Sequence, residues 1–148
     1  MKVLKREVKI QIKGIQRNEE AEESIETAAF GEFDQTGENY YLKYEELSED
    51  GEITKTLIKI YDKNIEVIKR GSIESKMVFI PNTVTETDYS TCYGVLAMSV
   101  STLHTAFRME ENSVTAEIEY ILYLNGTMVS VNFLNIEAVF LENCNCFP

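Results

Sequence analysis

Tryptophan is absent from this sequence, histidine occurs once and proline twice. With His104 the only histidine, most acid–base and nucleophilic designs lack a central residue. No His-Glu-x-x-His pair, Gly-x-Ser-x-Gly elbow or Gly-rich phosphate loop occurs. A triad would have to join His104 to Cys92 or a serine, and no spacing selects a partner. The paired carboxylates, such as Glu45-Glu46 and Glu110-Glu111, read as solvated faces rather than acid–base machinery. Catalysis is not expected.

Cysteine is scarce too: Cys92, Cys144 and Cys146. In a reducing compartment such residues need not pair. Together with His104 they number the four donors of a closed zinc site, yet no ligand spacing gathers them. Neither a metal nor a cofactor is expected, and residues 143–148 read as a short tail. No run approaches the ~20 apolar residues that a membrane-spanning helix requires. Lys5, Arg6 and Glu7 stand too close to the start for a signal-peptide core. The expectation is a cytoplasmic protein without a membrane partner.

Positive charge is also in short supply. Twenty-five acidic residues against 14 basic ones leave a formal net charge of −11, a field that repels a phosphate backbone. Nucleic acid is therefore not an expected partner. The one basic cluster, Lys2, Lys5, Arg6, Lys9 and Lys13, reads as the solubilising guard of an exposed strand. Hydrophobic residues make up 44% of the chain, enough for a folded core. The 148 residues suit one domain, which at this size buries roughly 70% of its unfolded surface.

What the sequence has in abundance is alternation. Val8, Ile10 and Ile12 point one way and Lys9, Gln11 and Lys13 the other. Tyr40, Leu42 and Tyr44 share a face, as do Thr54, Thr56, Ile58 and Ile60. Val114, Ala116, Ile118, Tyr120, Leu122 and Leu124 form a third inward series. Turn signals punctuate these runs at Gly37, Ser48–Gly51, Asp62–Asn64, Gly71-Ser72 and Glu110–Asn112, with a longer connection from Pro81 to Asp88. The stretch 17–27 reads as an acidic loop. Connections this short leave no room for parallel crossovers.

Asn125-Gly126 is the sharpest turn signal, since both residues tolerate the positive φ of a type I′ hairpin. That turn sets Leu124 opposite Thr127, Leu122 opposite Val129, Tyr120 opposite Val131 and Ile118 opposite Phe133. Beyond it the apolar series moves to even numbers, Leu134, Ile136 and Ala138, which predicts a β-bulge near Phe133–Leu134. A long one-layer sheet with one apolar face must close on itself or meet a second sheet. The fold expected is all-β: a single antiparallel barrel of about eight to nine strands over 1–148, with a sandwich as the alternative.

Six residues are candidates for contact with a ligand. Tyr44, Tyr93 and Tyr120 read as inward, and a buried hydroxyl needs a partner such as Thr56 or a ligand. His104 follows Leu96, Met98, Val100 and Thr102 on one strand face. Arg70 shares a face with Ile68 and ends its strand at Gly71, where it would close the barrel end or meet an anion.

Several segments in order resemble a known family: 41-YLKYEE-46, 56-TLIKI-60, 68-IKRG-71, 77-MVF-79, 89-YSTCYG-94 and 118-IEYIL-122. Together they are similar to the YwiB-like proteins of Firmicutes, a family of unknown function. The resemblance covers most of the chain, from the first strand to Ile136. It implies a calycin-like barrel, related in shape to lipocalins, and supplies no catalytic residues. Where relatives often have proline, this chain has Cys92. Barrel shape alone does not transfer lipid binding. The leading expectation is binding of a small apolar, amphipathic or anionic molecule inside the barrel. The alternative is a non-enzymatic module that meets a protein partner through its acidic surface or a sheet edge.

Overall fold

The computed structural model describes residues 3–141. Its strands are β1 (Val3–Arg17), β2 (Glu22–Thr36), β3 (Asn39–Leu47), β4 (Ile53–Tyr61), β5 (Asn64–Gly71), β6 (Ser75–Phe79), β7 (Thr83–Thr91), β8 (Gly94–Met109), β9 (Ser113–Leu124) and β10 (Thr127–Phe140). All pairings are antiparallel, in the order β6-β5-β4-β3-β2-β1-β10-β9-β8-β7. Chain neighbours β6 and β7 thus lie at the two sheet edges, and they meet. Glu74 and Ser90 exchange backbone hydrogen bonds of 3.1 and 2.9 Å, and the Thr85 hydroxyl donates to the Val78 carbonyl. The result is a nearly closed barrel of ten strands, slightly more than the eight to nine expected. The stretch Thr83–Asp88, expected to be loop, is part of β7. Its inner side carries Thr85 and Thr87, paired with buried Val100 and Met98, so it has no apolar stripe to betray it.

Other local expectations need correction. The acidic loop shrinks to a turn at Asn18–Ala21, where the Asn18 side chain accepts from the amides of Glu20 (2.8 Å) and Ala21 (2.9 Å). Glu22–Thr27 belong to β2, and Arg17 bridges to Glu22 at 3.0 Å. β1 is no edge strand: it pairs with both β2 and β10, and Lys5, Lys9 and Lys13 simply face solvent outside the barrel. The tail at 143–148, with Cys144 and Cys146, lies outside the described residues.

The Asn125-Gly126 turn forms as expected, with φ of 51° and 83°, and Leu124 faces Thr127. The bulge comes earlier than expected, between Met128 and Ser130, so Leu122 faces Ser130, Tyr120 faces Asn132 and Ile118 faces Leu134. A second bulge interrupts β8 between Thr102 and His104. Each adds one residue to the strand and reverses which side chains point inward beyond it.

The barrel axis is filled. Val8, Ile10, Leu42, Ile58, Ile65, Val100, Ile118 and Ile136 are buried along one continuous core. At the end carrying the β2–β3 and β8–β9 turns, Phe33 lies 5.5 Å from Phe140 and 6.1 Å from Tyr40, and Tyr40 lies 4.6 Å from Phe107, centroid to centroid. The Arg6 guanidinium sits 3.8 Å above the Phe140 ring and caps this end. A guanidinium therefore does close a barrel end, but it is Arg6 rather than Arg70.

Candidate functional site

Three of the six candidate residues lie inside the barrel, toward the end opposite the Arg6 cap. Tyr44 and Thr56 face one another across β3–β4 and both are buried. Beyond them Glu46 accepts from the Thr56 hydroxyl at 3.2 Å and from Lys69 Nζ at 3.3 Å, while the Thr54 and Ser72 hydroxyls meet at 2.8 Å. Burial raises the Tyr44 phenol well above its ordinary value, and the nearby Glu46 charge adds to the shift. Tyr120, 4.8 Å from Phe79, is pushed up to about 12 by burial. It joins Gln16, Thr27, Asn132 and Leu134 around a pocket of about 200 Å³ at the barrel mouth. Ligand pockets begin at roughly 300 Å³. This end of the interior is polar and tight.

The other three candidates point elsewhere. Tyr93 stands 97% exposed in the β7–β8 turn. His104 is turned outward by the β8 bulge and faces Glu119. Arg70 lies on the outer face, because Ile65 and Val67 are the inward residues of β5 and Ile68 and Arg70 have the opposite parity. Among the described residues no group of three His, Cys, Asp or Glu side chains is placed to hold a metal ion, and no helix is long and apolar enough to cross a membrane.

Arg70 nevertheless lines an open groove of about 590 Å³ on the outer surface of β2–β5. Leu57 and Ile68, paired across β4–β5, form its apolar floor, and Phe30, 71% exposed on β2, stands at its side. Lys43, Lys55, Lys59 and Arg70 line it together with Glu32 and Glu45. Two of these cations, Lys55 and Arg70, lie directly opposite each other across β4–β5. Lys43 is held 3.5 Å from Asp34. Leu57 is masked by the inward series Thr56, Ile58 and Ile60, Ile68 itself reads as an inward residue beside Arg70, and Phe30 lies on a strand for which the sequence shows no clear inward series. The available signal was consecutive apolar pairs, Leu57-Ile58 and Val67-Ile68, which give a strand two apolar faces where one is expected.

The concavity exists because β2 turns away from β3 at Gly31. Their pairing begins at Gly31↔Tyr44, and a Cβ on Gly31 would lie 2.1 Å from the Lys43 carbonyl oxygen. Only glycine permits this approach.

Residues 10–136 match a family model described as "Domain of unknown function (DUF1934)". The chain belongs to this family. A solved structure has the same fold: the crystal structure of the ywiB protein from Bacillus subtilis, with a TM-score of 0.84. The identity is 19%, over 93% of this chain and 94% of that one. The likeness expected from the sequence segments is thus shown for both family and fold. No curated protein matches the DUF1934 chain significantly by sequence. The outer groove combines an apolar floor with cationic sides, which makes it the strongest candidate site among the described residues.

Proposed function

We propose that this DUF1934 chain is a non-catalytic binding protein and that its ligand is an amphipathic anion held in the outer groove rather than in the barrel. The observation that carries this reading is a 590 Å³ groove with an aliphatic floor and four cationic side chains, on a protein of net charge −11. Like charges set directly opposite on neighbouring strands cost stability, and a bound anion relieves the Lys55–Arg70 pair. Glu45, opposite Lys55 on β3, offsets only one of the two cations. Apolar floor and fixed charge at the edge are the two components that small-molecule sites combine. The barrel interior supports the reading less well, since aromatic rings meet across its axis and its mouth pocket is about 200 Å³.

The test uses 8-anilinonaphthalene-1-sulfonate, an aromatic anion whose fluorescence rises on binding. Arg70→Glu combined with Lys55→Glu should weaken its binding about tenfold, equivalent to about 1.4 kcal/mol. Both side chains are exposed, so the thermal midpoint should hardly move. Decyl sulfate should displace the dye and decyltrimethylammonium should not. Equal dye affinity in the double variant, or equal displacement by the cationic detergent, would remove the groove from consideration.

A further inference from the structure

The split at Gly31 creates a second feature, independent of the groove. β2 pairs with β3 from Gly31 to Thr36, but from Glu22 to Phe30 its partner among the described residues is β1 alone. β3 stays with β4 as far as Leu47↔Ile53, so Glu45–Leu47 also lose their β2 neighbour. The sheet opens into a V-shaped notch with β1–β2 as one arm and β3–β4 as the other. The β2 edge runs for nine residues, about 30 Å of extended backbone. From Glu22 to Glu26 every residue of this arm is exposed, and Ile25 is 62% exposed.

Long bare edges invite pairing, and proteins guard them with charge. Here the charge is almost all of one sign. Glu19, Glu20, Glu22, Glu23 and Glu26 stand on the β2 arm, and Glu45, Glu49, Asp50 and Glu52 on the other, all exposed. Arg17 is committed to Glu22, Lys13 stands opposite Glu26, and Lys55 lines the groove. Pairing of two copies through this edge, centred on Glu26, would set Glu26 directly against Glu26, with Glu22 and Glu23 opposite Phe30 and Ala29 of the other copy. The Glu26 pair and the acidic field of both arms disfavour a second copy, and the same acids favour a strand of opposite charge.

We propose that the notch binds an extended, basic segment of another protein, which adds to the β2 edge as an extra strand. Main-chain hydrogen bonds along Glu22–Phe30 supply the affinity, and alternate side chains supply the choice of partner. Glu22, Glu26 and Phe30 share the outer face of β2, so the incoming strand carries Lys or Arg toward the Asn18–Ala21 turn and an apolar residue beside Phe30. On the inner face an apolar residue covers Ile25.

A fluorescein-labelled nine-residue peptide alternating arginine with valine tests this, with glutamate replacing arginine as its control. The arginine peptide should bind at least tenfold more tightly than the control, and less tightly as salt is raised. Amide hydrogen exchange should show at least tenfold added protection within Glu22–Phe30. N-methylation of alternate peptide amides should abolish binding. The Glu23→Lys, Glu26→Lys double variant, which keeps the Arg17–Glu22 bridge, should bind the two peptides in reversed order, with a thermal melt verifying its fold. Equal binding of both peptides, no new protection at 22–30, or a self-paired dimer protected there without peptide would each overturn the proposal.

Discussion

Gly31→Ala is expected to lower stability by about 3 kcal/mol or more, while Gly14→Ala changes it little. Both glycines lie in strands and neither has a positive φ, so conformational freedom does not separate them. Space does. At Gly14 an added Cβ meets only Leu134 Cδ1, at an ordinary 3.7 Å. At Gly31 it would lie 2.1 Å from the Lys43 carbonyl oxygen, 2.9 Å from Ile10 Cδ1 and 3.1 Å from Tyr44 Cβ. The Ile10 tip can rotate away, but the carbonyl is backbone. Relief requires breaking the Gly31↔Tyr44 rung, the last that joins β2 to β3. Overpacking commonly costs about 1–3 kcal/mol, and a backbone clash belongs at or above the upper end. For a domain of this size that is a fall in melting temperature of roughly 6–12 °C. Thermal unfolding of both variants decides it: a Gly31→Ala protein melting within about 2 °C of the parent would mean that β2 is not pinned at this corner. The groove and the notch both depend on that corner, so the measurement bears on each.

The barrel was legible because its inner face is written in period two over most strands. Val8 and Ile10, Leu42 and Tyr44, Thr56 and Ile58, and Val114 to Ile118 all point where alternation puts them. The errors concentrate where one inserted residue reverses the parity. The change from odd to even positions in β10 was visible, but Val131 and Phe133 made the odd series look inward for too long. In fact Ser130 and Asn132 are inside, and they are admissible there because the Asn132 amide donates to the Ser130 hydroxyl at 3.0 Å. Phe133 stays outside at 36% exposure, with the Arg17 guanidinium 6.0 Å from its ring centroid. Apolar content alone cannot distinguish a self-satisfied polar pair from a solvated one. The β8 bulge left a fainter signal of the same kind: Leu103, the inserted residue, is apolar between polar Thr102 and His104, the series moves from Leu96, Met98 and Val100 to Phe107 and Met109, and passing the bulge carried His104 outward. Arg70 failed for a different reason. Ile68 is apolar because it floors a groove, so it falsely advertised its face as the core. A site on the convex side of a barrel is hard to read from a pattern whose whole logic is that apolar means inside.

Stability should also fall steeply between pH 10 and pH 12, and two tyrosines inside the barrel, buried Tyr44 and half-buried Tyr120, should account for much of the fall. Burial pushes Tyr120 up to about 12 and raises Tyr44 further in the same direction, with Glu46 adding to the latter. Tyr61 is also pushed up to about 12, chiefly by its hydrogen bond to Glu66, but it is exposed enough for solvent to screen most of the consequence. A phenol whose pKa is higher in the folded state keeps its proton while the unfolded chain gives its own up. The stabilisation is complete below about pH 10 and is lost as pH rises through the folded value. For Tyr120 a displacement of about two units corresponds to about 3 kcal/mol lost by the end of that window. Tyr120→Phe should therefore move the alkaline limb of the melting-temperature profile upward, leaving the value at pH 7 nearly unchanged. Tyr44→Phe should act in the same sense. Coincident alkaline limbs for parent and Tyr120→Phe would show that this hydroxyl reaches solvent in the folded protein. The outcome also separates the two places a ligand could sit. A tyrosine opening into a wide, water-filled barrel ionises near its ordinary value, whereas one packed against Phe79 in a tight interior does not. A persistent alkaline limb in the parent thus argues against a wide, water-filled interior around Tyr120.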